Sequence, residues 1–98
     1  MGLFGSFNAI GKVYSHLRKI EPMFNELMVG QRAMYNRDYT NILASNILNE
    51  LAEVRRIVES AGNTVKCADF QFMGSNKSIY QILADTEMLV DMAKNRPF

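Results

Sequence analysis

Residues 3–20 carry apolar side chains at helical spacing. At about 100° per residue the large apolar residues share one face, and basic residues lie almost opposite. The apolar face consists of Leu3, Phe7, Ile10, Val13, Tyr14 and Leu17, and the basic face of Lys12, His16 and Lys19. This pattern predicts an amphipathic helix that ends near Glu21-Pro22, because the residue before a proline avoids the α conformation.

Pro22 suits the first position of a second helix. The apolar side of that helix is formed by Met23, Phe24, Leu27, Met28, Met34 and Tyr35. Asn36 or Asp38 is suited to cap a further helix, yet no proline or glycine enforces a break at this point. Residues 23–61 therefore form one helix or two, and the change in phase of the apolar stripe favours two.

The clearest periodicity in the chain spans residues 39–61 and predicts a third helix. Apolar residues recur at alternating steps of three and four, and polar residues occupy the opposite face. The stripe contains Ala44, Ile47, Leu51, Val54, Val58 and Ala61, widened by Leu43 and Leu48. Gly62 follows and is predicted to take the left-handed conformation that often ends a helix.

Residues 63–76 have no single period. Asn63 is suited to cap a short helix that ends at Gly74, whereas Ala68, Phe70 and Phe72 alternate as in a strand. A strand needs a partner for its backbone hydrogen bonds, and the rest of the chain offers no second candidate. The sequence therefore favours a short helix or an ordered extended loop.

The last helix is predicted over residues 76–94, where Ser78-x-x-Gln81 matches a capping box. Its helical period separates a core face from an outer face. The core face consists of Ile79, Ile82, Leu83, Thr86, Leu89, Val90 and Ala93.

These elements predict an all-α fold: a small three- to four-helix bundle that forms oligomers, with residues 1–98 as one helical domain. Residues 1–20 are either part of its core or an amphipathic helix that detaches from it. The composition, 48% apolar and 21% charged, is typical of a folded domain. No apolar run approaches the roughly 20 residues that span a bilayer. The single cysteine, Cys67, excludes an internal disulfide, which indicates a cytoplasmic protein or one in another reducing compartment.

The first candidate site is the outer face of the last helix. Met88 and Met92 lie opposite the predicted core face, with Ala84 and Tyr80 beside them. Methionine is unbranched and polarisable, and it suits adaptable contact surfaces. These four residues are a predicted protein interface, most simply that of a two-fold homodimer, with a different protein partner as the other option. Single exposed apolar side chains are also ordinary surface features.

The alternative function is a peripheral membrane protein that uses the basic amphipathic helix over residues 2–20. Apolar residues would enter the lipid and lysines would face anionic headgroups. The residues in question are Leu3, Phe4 and Phe7 for the lipid, and Lys12 and Lys19 for the headgroups. The first six residues also match the N-myristoylation pattern, with Gly2 as the acylated residue. The few basic residues of this helix give only weak attraction to an anionic membrane. Packing of its apolar face in the core is therefore favoured.

Catalysis, metal binding and nucleic-acid binding have little support in the sequence. His16 and Cys67 are the one histidine and the one cysteine, and neither lies in a nucleophile motif. Glu50, Glu53 and Glu59 are interleaved with arginines, which is typical of a solvated helix face. A net charge of +1 gives no electrostatic footprint for nucleic acid. We therefore expect a protein that is not an enzyme and has no cofactor and no metal site.

Overall fold

The computed structural model of the chain describes residues 3–33 and 36–95, with side chains over residues 8–30 and 36–95. Most of this part of the chain is helical, and one small two-stranded sheet interrupts the helices. In chain order the elements are α1 (Leu3–Ala33), α2 (Arg37–Ser60), α3 (Asn63–Lys66), β1 (Asp69–Phe72), β2 (Ser75–Ser78) and α4 (Ile79–Lys94). The helical content agrees with the predicted all-α class, and the sheet is an addition to it.

α1 runs without interruption through Pro22, so the predicted end of a first helix at Glu21-Pro22 is wrong. Proline in a helix interior removes one backbone hydrogen bond and clashes with the preceding turn, at a cost of about 3 kcal/mol. Pro22 itself is exposed, while Ile20, Phe24 and Leu27 on either side of it are buried. Burial of each large apolar side chain contributes about 1.5–3 kcal/mol. The free energy gained by burying these side chains in one continuous helix therefore exceeds the cost of Pro22 in its interior.

α2 begins directly after Asn36, and the predicted break between two helices is confirmed. The side chain of Asn36 caps α2, because its Oδ1 accepts a hydrogen bond from the N–H of Asp38 at 2.6 Å. The predicted apolar stripe of this helix is buried, apart from the half-buried Leu48. Helical periodicity alone was therefore sufficient to orient α2.

The end of α2 differs from the prediction. The N–H of Ala61 donates to the carbonyl of Val58 at 3.1 Å, which closes the last turn. Gly62 is extended, with φ of −79°, so the predicted left-handed conformation is wrong. α3 begins at the next residue, and the extended backbone at Gly62 leads the chain directly into it.

Residues 69–78 form a β-hairpin, where a short helix or an extended loop was expected. The short helix is present as α3 but ends at Lys66. β1 and β2 pair antiparallel, and Met73 and Gly74 connect them with φ of 51° and 81°. Positive φ at both central residues characterises a type I′ turn, whose twist matches that of the two strands. The sequence of β2, SNKS, has no apolar residue, so periodicity gives no sign of this strand.

The free edge of β1 is held against α1 by three side chains. In an antiparallel ladder alternate residues direct their backbone groups away from the partner strand, and Gln71 is such a residue. Its N–H donates to Tyr14 Oη at 3.2 Å, and its carbonyl accepts from Arg18 at 2.9 Å. Glu21 pairs with Arg18 and accepts a hydrogen bond from the N–H of Met73 at 2.9 Å. α1 thereby covers a strand edge that would otherwise be open to pairing.

The inner face of β1 contributes two aromatic rings to the core. The ring of Phe70 contacts that of Tyr14, and the ring of Phe72 contacts that of Phe24, with centroids 5.1 Å and 6.3 Å apart. Both pairs are tilted, an arrangement that aromatic quadrupoles favour. Backbone hydrogen bonds and aromatic packing thus fix the hairpin on α1 together.

The core lies between α1, α2, α4 and the inner face of the hairpin. α1 and α2 run antiparallel, since His16 contacts Glu50 while Glu26, further along α1, contacts Tyr39 near the start of α2. The most deeply buried large side chains are Val13, Leu17, Ile20, Leu27, Ile47, Leu51, Val54, Val58, Phe70, Ile79, Ile82 and Leu83. α1 from Val13 onwards is therefore a central part of the core.

Glu21 makes the docking of the hairpin sensitive to acid. Desolvation acts to raise the pKa of Glu21, but the hydrogen bonds from Arg18 and from the N–H of Met73 outweigh it, and the pKa lies below its ordinary value. Such a carboxylate stabilises the fold above its unfolded-state pKa of about 4.3, and this contribution is lost as the pH falls through the lower folded-state pKa. We expect Glu21→Gln to lose less unfolding free energy than wild type between about pH 6 and about pH 3, measured by urea denaturation.

Glu59→Gln, which removes an exposed carboxylate of α2, is the matched control. Its effect on the pH dependence of the unfolding free energy should be smaller than that of Glu21→Gln, because Glu59 makes none of the hydrogen bonds that hold the hairpin on α1. If Glu21→Gln and Glu59→Gln change the pH dependence by the same amount, Glu21 has no special role in docking the hairpin.

Candidate functional site

α4 presents one face to the core and the opposite face to solvent. It begins at Ile79, later than predicted, because the residues before it belong to β2. Ser78 caps the helix as predicted, and its Oγ accepts a hydrogen bond from the N–H of Gln81 at 3.2 Å. The Gln81 side chain donates to Asp85 at 2.8 Å, so it does not complete a capping box. The predicted core face of α4 is buried, with Leu89 half-buried.

The outer face of α4 carries four exposed side chains in one row, Tyr80, Ala84, Met88 and Met92, which we call the α4 ridge. A spacing of four residues aligns them along one ridge of the helix over roughly 18 Å. Tyr80 is 40% exposed, Met88 54% and Met92 61%. These are the four positions that the sequence selected as a protein interface, and all of them are accessible.

Two carboxylates beside the α4 ridge, those of Glu87 and Asp85, are paired within the chain. Arg55 donates to Glu87 at 2.6 Å, and the amino group of Lys77 lies 3.4 Å from a carboxylate oxygen of Asp85. The hydrogen bond with Glu87 raises the pKa of Arg55 above its ordinary value, so the guanidinium stays charged. The ridge is therefore an apolar strip with one ion pair on either side, and the exposed Asp91 lies next to Met92.

The residues predicted for membrane contact all belong to α1. They are Leu3, Phe4, Phe7, Lys12 and Lys19. The two lysines are exposed, whereas the side chains of the three apolar residues, and Gly2 altogether, lie outside the described residues. From Val13 onwards the apolar face of α1 is buried and is not available to lipid. In the described part of the chain no helix is long and apolar enough to cross a membrane.

The chain's histidine and cysteine occupy separate surroundings. His16 Nδ1 forms a hydrogen bond with Glu50 Oε2 between α1 and α2. Cys67 is exposed and directly follows α3. Glu53 pairs with Arg56 at 2.7 Å, the i,i+3 contact expected of a solvated helix face. Within residues 3–33 and 36–95, no three side chains of His, Cys, Asp or Glu are grouped so that they could hold a metal ion.

Three further exposed apolar side chains were not identified from the sequence. They are Val29 on α1 and Tyr39 and Ile42 on α2, and we refer to these three residues as the corner patch. The hydrogen bond between Tyr39 and Glu26 joins the two helices here. Ile42 is 56% exposed. All three residues lie off the predicted apolar stripes, and this was the signal in the sequence for their exposure.

A small cleft between α1, the hairpin and α4 was also missed. Phe24, Phe72 and Thr86 are among the residues that line it. Thr86 was predicted only as part of a core face, and Phe72 as part of a short helix or an extended loop. The cleft depends on the hairpin, so it follows from the tertiary structure and not from any local pattern.

Comparison with known proteins gives no match to a family model, to a curated protein or to a solved structure. The basis for a function is therefore the chemistry of the residues described above.

Proposed function

We propose that this chain is a non-enzymatic protein–protein interaction module, a small helical bundle that self-associates as a two-fold dimer through the α4 ridge. The observation that supports the proposal is the row Tyr80, Ala84, Met88 and Met92, which includes three large apolar side chains that the core does not use. Scattered apolar residues are normal on a surface. A row at one helix spacing is a surface suited to helix packing.

A second copy of the chain is the partner that fits the ridge best. In an antiparallel two-fold pairing of two α4 helices that cross between Ala84 and Met88, each Ala84 faces Met88 of the second copy. Tyr80 then faces Met92 of the second copy. Small residues thus meet large ones, and an aromatic ring meets a thioether, which is a favourable contact.

The charges around the ridge agree with self-association. Asp85 and Glu87 lie on either side of the ridge and are already neutralised within the chain by Lys77 and Arg55. Two copies of the same surface therefore meet without an uncompensated pair of like charges along these flanks. Binding at the ridge therefore does not require a partner protein that carries the opposite charge.

The expected dimer is weak. A ridge of roughly 18 Å on one helix buries less area than the about 1,600 Å² of a standard interface. Interfaces of this smaller size are typical of transient complexes. We therefore expect a dissociation constant on the order of micromolar or higher.

The module is proposed to act in the cytoplasm, where an exposed thiol such as that of Cys67 stays reduced. The competing proposal, a peripheral membrane protein that uses residues 2–20, has less support. Val13 and Leu17, on the same apolar face of α1, are fully buried in the core. Membrane contact would rest on Leu3, Phe4 and Phe7 with Lys12 and Lys19.

Replacing Met88 and Met92 together with lysine tests the proposal. Wild type should pass from monomer to dimer between about 10 µM and about 1 mM in sedimentation equilibrium. The double variant should remain a monomer, because two ammonium groups from each copy would have to lose their hydration in the interface. Both side chains are exposed in the single chain, so the circular dichroism spectrum should not change.

The matched control carries Val29→Lys and Ile42→Lys, which add the same charge to the corner patch. This control should dimerise like wild type. If the control abolishes the dimer while the Met88/Met92 variant retains it, the interface is the corner patch and the proposal is wrong. A wild-type chain that stays monomeric at about 1 mM would also contradict it.

A further inference from the structure

The cleft between α1, the hairpin and α4 has the chemistry of a small-molecule site. Its walls are formed by Phe24 from α1, Phe72 and Met73 from the hairpin, and Ile82 and Leu89 from α4. Phe24, Phe72 and Ile82 are buried, whereas Met73 is exposed, and the cleft is partly open to solvent. Apolar walls with one open side are the usual form of a ligand pocket.

Thr86 is the buried polar residue that lines this cleft, and its side chain carries a hydroxyl group. The residue is only 2% exposed, and it lines the cleft together with the apolar side chains. Within the described part of the chain its hydroxyl makes no hydrogen bond, not even to the carbonyl of Ile82 one turn earlier. A buried hydroxyl without a partner is unfavourable, and a ligand that bonds to it removes this penalty.

The charged residues at the rim of the cleft favour a neutral ligand. Lys77 and Asp85 line the cleft and lie 3.4 Å from each other, so their charges cancel there. An ionised ligand would find no uncompensated opposite charge and would lose its hydration. A neutral ligand needs no opposite charge and loses no hydration of an ionised group, so the cleft favours a neutral ligand.

The size of the cleft limits the ligand to a single ring. Its volume is about 110 Å³, and a closed apolar cavity of about 150 Å³ in another protein accommodates benzene. Because the cleft is partly open to solvent, part of a ring can remain outside its walls. Phe24 and Phe72, tilted at 45° with centroids 6.3 Å apart, offer an edge and a face to a third ring.

We propose that this cleft binds a neutral monocyclic aromatic molecule with one hydroxyl group, a simple phenol, through ring contacts with Phe24 and Phe72 and a hydrogen bond with Thr86. The site is independent of the α4 ridge, since Ile82, Thr86 and Leu89 lie on the flank of α4 that faces α1 and the hairpin. Phenol is the probe for the site, and benzene is the matched probe without the hydroxyl group.

Methyl-detected NMR titration of the full chain with phenol and with benzene tests the proposal, in wild type and in Thr86→Val. Both probes should shift the methyl signals of Ile82, Thr86 and Leu89 at roughly millimolar concentration. The ratio of the benzene to the phenol dissociation constant should fall about fivefold in Thr86→Val, because one hydrogen bond between neutral groups is lost. Thr86→Ser, which keeps the hydroxyl group, should retain most of the wild-type ratio.

Two results would overturn the proposal. The first is the absence of any shift at these methyl groups with either probe, which would mean that the cleft holds only water. The second is the same ratio in wild type and Thr86→Val, which would mean that Thr86 does not recognise the hydroxyl group. If Thr86→Val does not fold, nuclear Overhauser effects between phenol protons and the methyl groups of Ile82 and Leu89 in wild type decide the location instead. Their presence supports the site, and their absence overturns it.

Discussion

Leu17→Ala is expected to lower the free energy of unfolding by about 3–5 kcal/mol. Leu17 has no exposed surface and lies in the middle of the buried stripe of α1. Alanine removes the contacts of the lost carbons and leaves a cavity that a close-packed core fills only in part. For a small domain with about 5–15 kcal/mol of stability, this is a large fraction of the total. Guanidinium denaturation followed by circular dichroism measures the change.

Ile42→Ala is the control for this experiment. It removes a similar volume of side chain, but Ile42 is largely exposed on α2, and exposed positions usually change stability by less than about 0.5 kcal/mol. If Leu17→Ala and Ile42→Ala lower the free energy of unfolding by equal and small amounts, α1 is not held in the core. In that case the first part of the chain would be free of the fold, and the membrane alternative would gain support.

Pro22→Ala is expected to raise the free energy of unfolding by about 2 kcal/mol. Alanine restores the backbone N–H and removes the clash with the turn around Arg18, a gain of about 3 kcal/mol in a helix interior. Part of this gain, about 0.4–1 kcal/mol, is lost because alanine gives the unfolded chain more freedom than proline. Pro22 is exposed, so the substitution removes no core contact. The midpoint of urea denaturation should rise accordingly.

Asn25→Ala, at another exposed position of α1, separates the proline effect from ordinary helix propensity. It should stabilise the protein by only about 0.5 kcal/mol. If Pro22→Ala gains no more than Asn25→Ala, or destabilises the protein, α1 is not a continuous helix across residue 22.

The parts of the fold that local physics determines could be predicted from the sequence. The buried stripes of α2 and α4 follow from their 3.6-residue period, and the helix caps at Asn36 and Ser78 follow from side chains that satisfy free N–H groups. The exposed positions of Met88 and Met92 follow from the same period. In each of these cases a few residues that are close in the sequence determine whether a side chain is buried, exposed or caps a helix.

The parts that distant contacts determine could not be predicted. The helix at Pro22 persists because residues on both sides of it are buried by other elements. β2 is a polar strand that forms because Met73 and Gly74 turn the chain back on β1, while α1 covers the outer edge of β1. The cleft at Thr86 depends on this hairpin, so no helical or strand pattern in the sequence indicates it.

Intermolecular nuclear Overhauser effects test the central proposal, self-association through the α4 ridge, most directly. A mixture of chain with ¹³C-labelled methionine methyl groups and unlabelled chain, at about 1 mM, reports only contacts between copies in an isotope-filtered spectrum. The proposal predicts contacts from the Met88 methyl group to Ala84 of the other copy, and from the Met92 methyl group to the ring of Tyr80 of the other copy. Contacts from Met28 to Val29 or Ile42 of the other copy, without any from Met88 and Met92, would contradict it.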